Sequence, residues 1–442
     1  MSNQNELKRN LGFFSAISIV MGTVIGAGVF FKVSSVAEVT GSTSMAMLVW
    51  LLGGLVTICA GLTAAELAAA IPETGGLVKY IEYTYGNFWG YLSGWAQAFI
   101  YFPANVAALA IVFATQFTNL FHIKAHWILL IALITALTVY FINCLGSKAG
   151  GMLQSITLVI KLIPIILIVA VGFFAPSNVE FSLFPIQSGE QQGFFTALGA
   201  GLLATMFAYD GWMHVGTIAG ELKNPKRDLP GAITIGLGAV MVVYLLINAV
   251  FLMTLPISEI SGNLNAASEA SVKIFGNGGG KIVTIGIMVS VYGALNGYMM
   301  TGMRVPYAMA ERGGLPFKNF FLKLTPGQAP WASGLVQIVI AFVMMSLGAF
   351  DTITNMLIFV IWTFYTMAFV AVMILRRREP EMERPYKVPL YPIVPLIAIV
   401  SGVFVLINTL FTQTLLASIG IIITLLGIPI YYYTKKKEEK RS

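Results

Sequence analysis

The chain has 442 residues, of which 57% are hydrophobic and only 10% charged. A mean hydropathy of +0.83 excludes an ordinary water-soluble domain. Lys and Arg total 26 against 19 Asp and Glu, but these cations flank apolar runs instead of forming a patch, so no nucleic-acid partner is expected. Cys59 and Cys144 lie far apart inside apolar stretches, which excludes a disulfide framework and a CxxC redox or zinc motif and leaves core thiols.

A membrane-spanning helix needs only ~20 apolar residues, so this length holds many spans joined by short loops. In chain order the apolar segments are Phe13–Phe31, Met45–Ala70, Phe88–Leu120, Trp127–Cys144, Met152–Phe174 and Phe194–Ala219. Then come Ile233–Thr254, Ile282–Ala310, Ala332–Leu347, Ile353–Leu375, Ile393–Phe411 and Leu415–Tyr433. They predict an all-α integral membrane protein of 12 transmembrane helices, a single polytopic domain over residues 1–442. The first segment follows Lys8 and Arg9, yet it has full-span length and lacks a small-residue cleavage site, so it is read as span 1 and not as a signal peptide.

With spans alternating in direction, twenty Lys and Arg fall on the face carrying the N-terminus, among them Arg376 to Arg378 and Lys435 to Lys437. The opposite loops receive four, Lys32, Lys124, Lys273 and Lys281, while Lys161 and Arg304 lie within spans. This imbalance predicts cytoplasmic termini at both ends, as an even number of spans requires.

Two spans are interrupted near mid-membrane. Span 1 contains Gly22-Thr23-Val24-Ile25-Gly26-Ala27-Gly28-Val29, and span 6 contains Phe207-Ala208-Tyr209-Asp210-Gly211-Trp212, an Asp-Gly turn signal inside an apolar run. Irregular backbone at that depth is tolerated only where protein or a polar cavity surrounds it. Spans 1 and 6 are five apart, the offset of two inverted five-helix repeats, here about residues 11–175 and 192–376, with spans 11 and 12 outside them at about 390–433. Half-helix ends expose N–H and C=O groups whose dipoles suit a zwitterion. A carboxylate can accept from Ala27 and Gly28, and an ammonium can donate near Val24, Phe207 and Asp210. Tight helix packing is the alternative reading of the span 1 glycines. A dinucleotide fingerprint fails for want of a preceding strand and an acidic partner.

At these residues the chain resembles the amino acid-polyamine-organocation superfamily, more narrowly the L-type amino acid transporters and the bacterial serine/threonine and alanine/serine/cysteine exchangers. The resemblance is carried by Gly22 to Phe30, by Ala65-Glu66-Leu67 through Gly76, by Phe207 to Trp212 continuing into Gly220-Glu221-Leu222-Lys223-Asn224-Pro225, and by Arg304 to Glu311. It implies a 5+5 inverted repeat with discontinuous helices 1 and 6, a central amino acid site and alternating access. It places the substrate carboxylate on the N–H groups of Gly26, Ala27 and Gly28. The ammonium falls on carbonyls at Val24, Phe207 and Asp210, with Ala208 and Tyr209 in the same stretch. Ala27 departs from the serine of many relatives, which removes a hydroxyl but no backbone contact.

Lys161 lies too deep in span 5 to be an end-of-helix residue, and an ammonium there costs ~2.5–3.5 kcal/mol on insertion scales, so it needs compensation. Free carbonyls at the span 1 break are its natural partners. The resemblance implies that it stands where sodium-coupled relatives hold sodium, hence sodium-independent operation; a structural tether and a proton-exchanging lysine are the alternatives. Arg304 with Glu66 and Glu221 offers an ion-pair gate, against simple interfacial anchoring. Tyr209 and Trp212 are candidates to close over substrate, and Tyr244 to reach Lys161 or the substrate. Asp210 has its turn role and, alternatively, side-chain duty towards the ammonium. His122 and His126 have i, i+4 spacing but no third ligand, so no metal or other cofactor is expected, and no catalytic constellation suggests an enzyme.

The reading is a sodium-independent exchanger of small neutral L-amino acids of the serine, threonine, alanine and cysteine class in the bacterial cytoplasmic membrane, partnered by membrane lipid. A proton symporter through Lys161 is the alternative, ahead of a channel or membrane enzyme. No accessory subunit is expected, since no outer loop carries a cysteine to tether one.

Overall fold

The computed structural model describes residues 13–71, 76–175, 179–189, 193–213 and 224–439. Every regular element among them is helical. The first are α1 (Phe13–Val24), α2 (Gly28–Thr40), α3 (Thr43–Ala70), α4 (Leu77–Tyr85), α5 (Asn87–Ala96), a π-turn (Gln97–Tyr101), α6 (Phe102–Leu120), α7 (Ile128–Cys144) and α8 (Ser147–Gly172). There follow α9 (Phe194–Ala208), α10 (Pro225–Thr254), α11 (Ile257–Ile260), α12 (Ala266–Gly302), α13 (Arg304–Glu311), α14 (Lys318–Phe321) and α15 (Trp331–Leu347). The chain ends with α16 (Phe350–Arg378), α17 (Ile393–Thr412), α18 (Thr414–Leu425) and α19 (Gly427–Glu439). Lipid offers no hydrogen-bond partner to a backbone, so apolar runs of this length satisfy themselves as helices.

Among the described residues nine helices are long and apolar enough to cross a membrane, and Phe194–Ala208 and Trp331–Leu347 are shorter apolar helices. The protein is a multi-pass membrane protein. The most apolar windows of Asn87–Leu120 and Phe350–Arg378 are 78% and 72% buried inside the protein, against 33% for Ala125–Cys144 and 22% for Thr414–Lys437. The helices of Asn87–Leu120 and Phe350–Arg378 therefore stand at the centre, and those of Ala125–Cys144 and Thr414–Lys437 at the periphery.

The first span is broken as expected: α1 stops at Val24, residues 25–27 leave the helix, and α2 resumes at Gly28. The sixth is interrupted after Ala208, where α9 ends and a turn with Gly211 at φ +111° follows; residues 214–219 of that segment lie outside the described residues. α2 ends on Gly41, whose left-handed conformation (φ +62°) lets its N–H donate to Ala37 O at 2.9 Å. Ser42 then caps α3, its Oγ accepting from the Met45 N–H at 3.2 Å. The sharp reversal lays α2 beside α3.

One expectation is overturned here. Lys32 is not in an outer loop: α2 runs on past Phe31 to Thr40, and Lys32 is fully buried within it. Hydropathy ends the span at the first cation, whereas the structure keeps that cation inside by pairing it across the bundle.

Candidate functional site

The two breaks touch. A Cβ added to Gly28 would lie 2.4 Å from Ala208 Cα, and one added to Gly211 would lie 3.0 Å from Thr23 O, so glycine lets each interrupted helix press its backbone onto the other. This revises the reason for Gly28. The expected need was room for a carboxylate; the observed one is the crossing of α2 over α9, the tight-packing alternative. A substitution at Gly28 therefore probes the crossing. At Gly26 an added Cβ would meet the Ala294 side chain at 3.3 Å and Val24 O only at an ordinary 3.9 Å, which makes it the sharper probe of ligand approach.

Polar groups gather at the crossing. A helix beginning at Gly28 leaves its first N–H groups without intrahelical acceptors, and α2 has Ala27 at its N-cap with no side-chain cap. The buried Tyr244 hydroxyl, on α10, lies 2.8 Å from Val24 O and 3.1 Å from Ala208 O. A phenol has one proton, so it donates to these carbonyls in alternation and bridges the two breaks. Those carbonyls, and not Lys161, are its partners. Phe207 O accepts from the Asp210 N–H at 3.2 Å. Each carbonyl has a second lone pair available to a further donor.

Lys161 enters from α8, is buried, and donates to Gly22 O in the last turn of α1. Asp210 places its buried carboxylate in a tyrosine cluster: Tyr101 donates to Oδ2, and the Tyr365 hydroxyl donates to Oδ1 at 3.2 Å. Sequence reasoning missed both tyrosines. The available signal was Pro103 inside the third apolar run, beside the π-turn that carries Tyr101, because such turns mark departures from regular helix at functional places.

The aromatic residues divide by role. Tyr209 donates to Trp50 O at 3.0 Å and packs its ring 4.9 Å from that of Tyr244, so it belongs to the wall on the α3 side. Trp212 is buried with its ring 5.6 Å from Tyr365. Phe207 instead meets Phe350 of α16 edge to face at 5.8 Å, on the side where α2 leaves the break.

Nor does Glu66 pair with Arg304. Its carboxylate is held by Arg376 through Nε at 2.8 Å and Nη2 at 2.6 Å, by the Val388 N–H at 2.7 Å, and by Arg384 at 3.6 Å. Arg304 donates to Met300 O in the preceding turn. Glu221 lies outside the described residues. The physical reason is reach: α3 and α16 end on the same face, which brings Arg376 to Glu66 across 310 residues of sequence.

The described residues are helical, and two broken helices meet with an uncapped helix start beside buried carbonyls, which is the architecture of a membrane carrier. The chain belongs to the amino acid permease family, whose model matches residues 11–430. It is 42% identical over 439 residues to the serine/threonine exchanger SteT of Bacillus subtilis (strain 168), covering 99% of each chain. It is also similar to the human cystine/glutamate transporter, at 28% identity over 97% of this chain and 85% of the relative. The mouse Asc-type amino acid transporter 1 matches at 29% over 98% and 82% respectively. The protein is thus a transporter and not an enzyme.

Proposed function

We propose that the protein exchanges small neutral L-amino acids, of the serine, threonine, alanine and cysteine class, across the bacterial cytoplasmic membrane by alternating access. The observation that carries this reading is the contact between the breaks, with the α2 start beside the Val24 and Ala208 carbonyls that Tyr244 bridges. In this reading the substrate carboxylate lies on the N–H groups of Gly26, Ala27 and Gly28, where the helix dipole favours an anion. Its ammonium donates to the free lone pairs at Val24, Phe207 and Asp210, the last through its carbonyl. Ala208 and Tyr209 form the adjoining wall. The relative at 42% identity is named a serine/threonine exchanger and the one at 29% an Asc-type amino acid transporter, and the first of these names supports exchange of small neutral substrates.

Lys161 supplies a fixed cation at Gly22 O, and that contact supports sodium-independent operation. Both termini are assigned to the cytoplasm, so α2 ends and α16 begins on the outer side. The repeats are assigned to about residues 11–175 and 192–376, and no accessory subunit is required.

The test is counterflow in liposomes. Labelled serine should enter vesicles loaded with serine, threonine or alanine, should not enter empty ones, and should be indifferent to replacing sodium by choline. Uptake into empty vesicles driven by an inward proton gradient would establish symport instead. Strict sodium dependence would remove the role given to Lys161.

A further inference from the structure

Lys32 stands one helical turn beyond Gly28 on α2, and nothing in the transport reading above uses it. Its ammonium has three N–H groups, and three acceptors at the start of α16 match them: Asp351 Oδ1 at 2.7 Å, Thr354 Oγ1 at 2.6 Å and Asn355 Oδ1 at 3.3 Å. Ser35, one turn further along α2, donates to the same Asp351 oxygen. The ammonium also stands 5.4 Å from the ring centroid of Phe207 and 5.0 Å from that of Phe350. One cation therefore ties together α2, the end of α9 and the start of α16, immediately beyond the Gly28–Ala208 crossing.

We propose that the Lys32–Asp351 pair is the latch that holds the outer path to the site shut and parts when the site opens outward; the proposal rests on the alternating-access reading above. The construction is separable. The Lys32 side chain is 0% exposed, but that of Asp351 is 35% exposed, so the contact opens on its carboxylate side. All three acceptors belong to one helix, so the ammonium leaves them together, and its flexible stem can carry it into water. An unpartnered buried cation is strongly unfavourable. A state with α2 displaced and Lys32 still dry is therefore not populated, and the contact is either closed or hydrated, as a two-state gate requires.

The test reads accessibility, which needs no transport. In the full chain with Cys59→Ser and Cys144→Ser, the free cysteines are removed, and Ala294→Cys places a reporter beside Gly26. Whole cells are treated with a membrane-impermeant maleimide. Adding Asp351→Asn should speed labelling about tenfold, the response to ~1.4 kcal/mol of lost closed-state preference. The exchanged pair, Lys32→Asp with Asp351→Lys, should bring the rate back. If Asp351→Asn does not yield monodisperse protein, Asp351→Ser, which likewise leaves the Lys32 ammonium without its carboxylate, carries the same comparison. Equal labelling rates in well-folded carriers with and without the pair would overturn the latch. Latch-dependent labelling in a protein that shows no counterflow would leave the latch standing and remove the exchange reading instead.

Discussion

α16 is pinned at both ends by a buried charge, and the two ends are built differently. At its start a lysine on α2 meets one carboxylate that is partly open to water. At its finish the Glu66 carboxylate, 2% exposed, takes both forks of Arg376, the Val388 N–H and Arg384, while the Arg376 guanidinium lies 3.9 Å from the Tyr391 ring centroid. Arg384 also donates to Leu375 O and Glu379 O, so the same carboxylate gathers the chain that follows α16. A planar guanidinium fixes geometry as well as charge, whereas an ammonium is a point charge on a flexible stem. The difference teaches that one end is suited to release as a unit and the other to hold the turn after α16 in register. Between them Tyr365 reaches Asp210 at the second break, so a single helix touches the contact at its start, the second break and the contact at its finish.

The largest effect should come from Glu66→Ala, which strands Arg376 and the largely buried Arg384. Removing one partner of a buried pair costs ~3–5 kcal/mol, and a large drop in the melting temperature of the purified protein is expected. An unchanged melting temperature would break the comparison. Next, Arg376→Lys keeps the charge but loses the fork and the stacking on Tyr391, at ~1.5–3 kcal/mol, the range for hydrogen bonds to charged groups. The same melting assay reads it, and full tolerance would mean that charge alone suffices at the inner end.

The outer end should respond in the opposite sense. Lys32→Met with Asp351→Leu replaces the pair by apolar side chains, which for buried ion pairs is neutral or stabilising by ~1–4 kcal/mol. Melting should hold or rise while counterflow falls, because an apolar seal has no hydrated alternative; a lower melting temperature would show that the outer contact is a stability element like the inner one. The smallest effect belongs to Tyr83→Phe on α4, which removes the 2.6 Å hydrogen bond to Glu379 just past the end of α16. A change within ~0.5 kcal/mol is expected for such an exposed contact. That hydrogen bond, with Arg378, holds the Glu379 carboxyl below its ordinary value. The contribution is therefore full above the ordinary carboxylate range and is lost as pH falls through the lowered one.

The helical segments and both breaks were legible in the sequence, because each break is written in residues that do not belong in a lipid-facing helix: Gly22, Gly26 and Gly28 within seven residues, and Asp210-Gly211 in an apolar run. What was not legible depends on partners hundreds of residues away. Lys32 reads as the end of a span until Asp351 is brought to it over 319 residues. Glu66 has several cations that could face it, and only the shared ending of α3 and α16 selects Arg376. Tyr101 and Tyr365 are two among 17 tyrosines, and nothing local marks them as the clasp on Asp210. At Gly28 the close approach of Ala208 is a further requirement for glycine that no local pattern shows.

The central claim is that main-chain groups at the crossing of α2 and α9 recognise both charges of an amino acid. It is tested most directly by competition against labelled serine in counterflow, using serine amide, which lacks the carboxylate, and N-acetylserine, which lacks the ammonium. Each analogue leaves one set of buried polar groups unpaired, so each should compete at least about 100-fold more weakly than serine itself. If either analogue competes as well as serine, one half of the crossing does not bind the substrate and the account fails there.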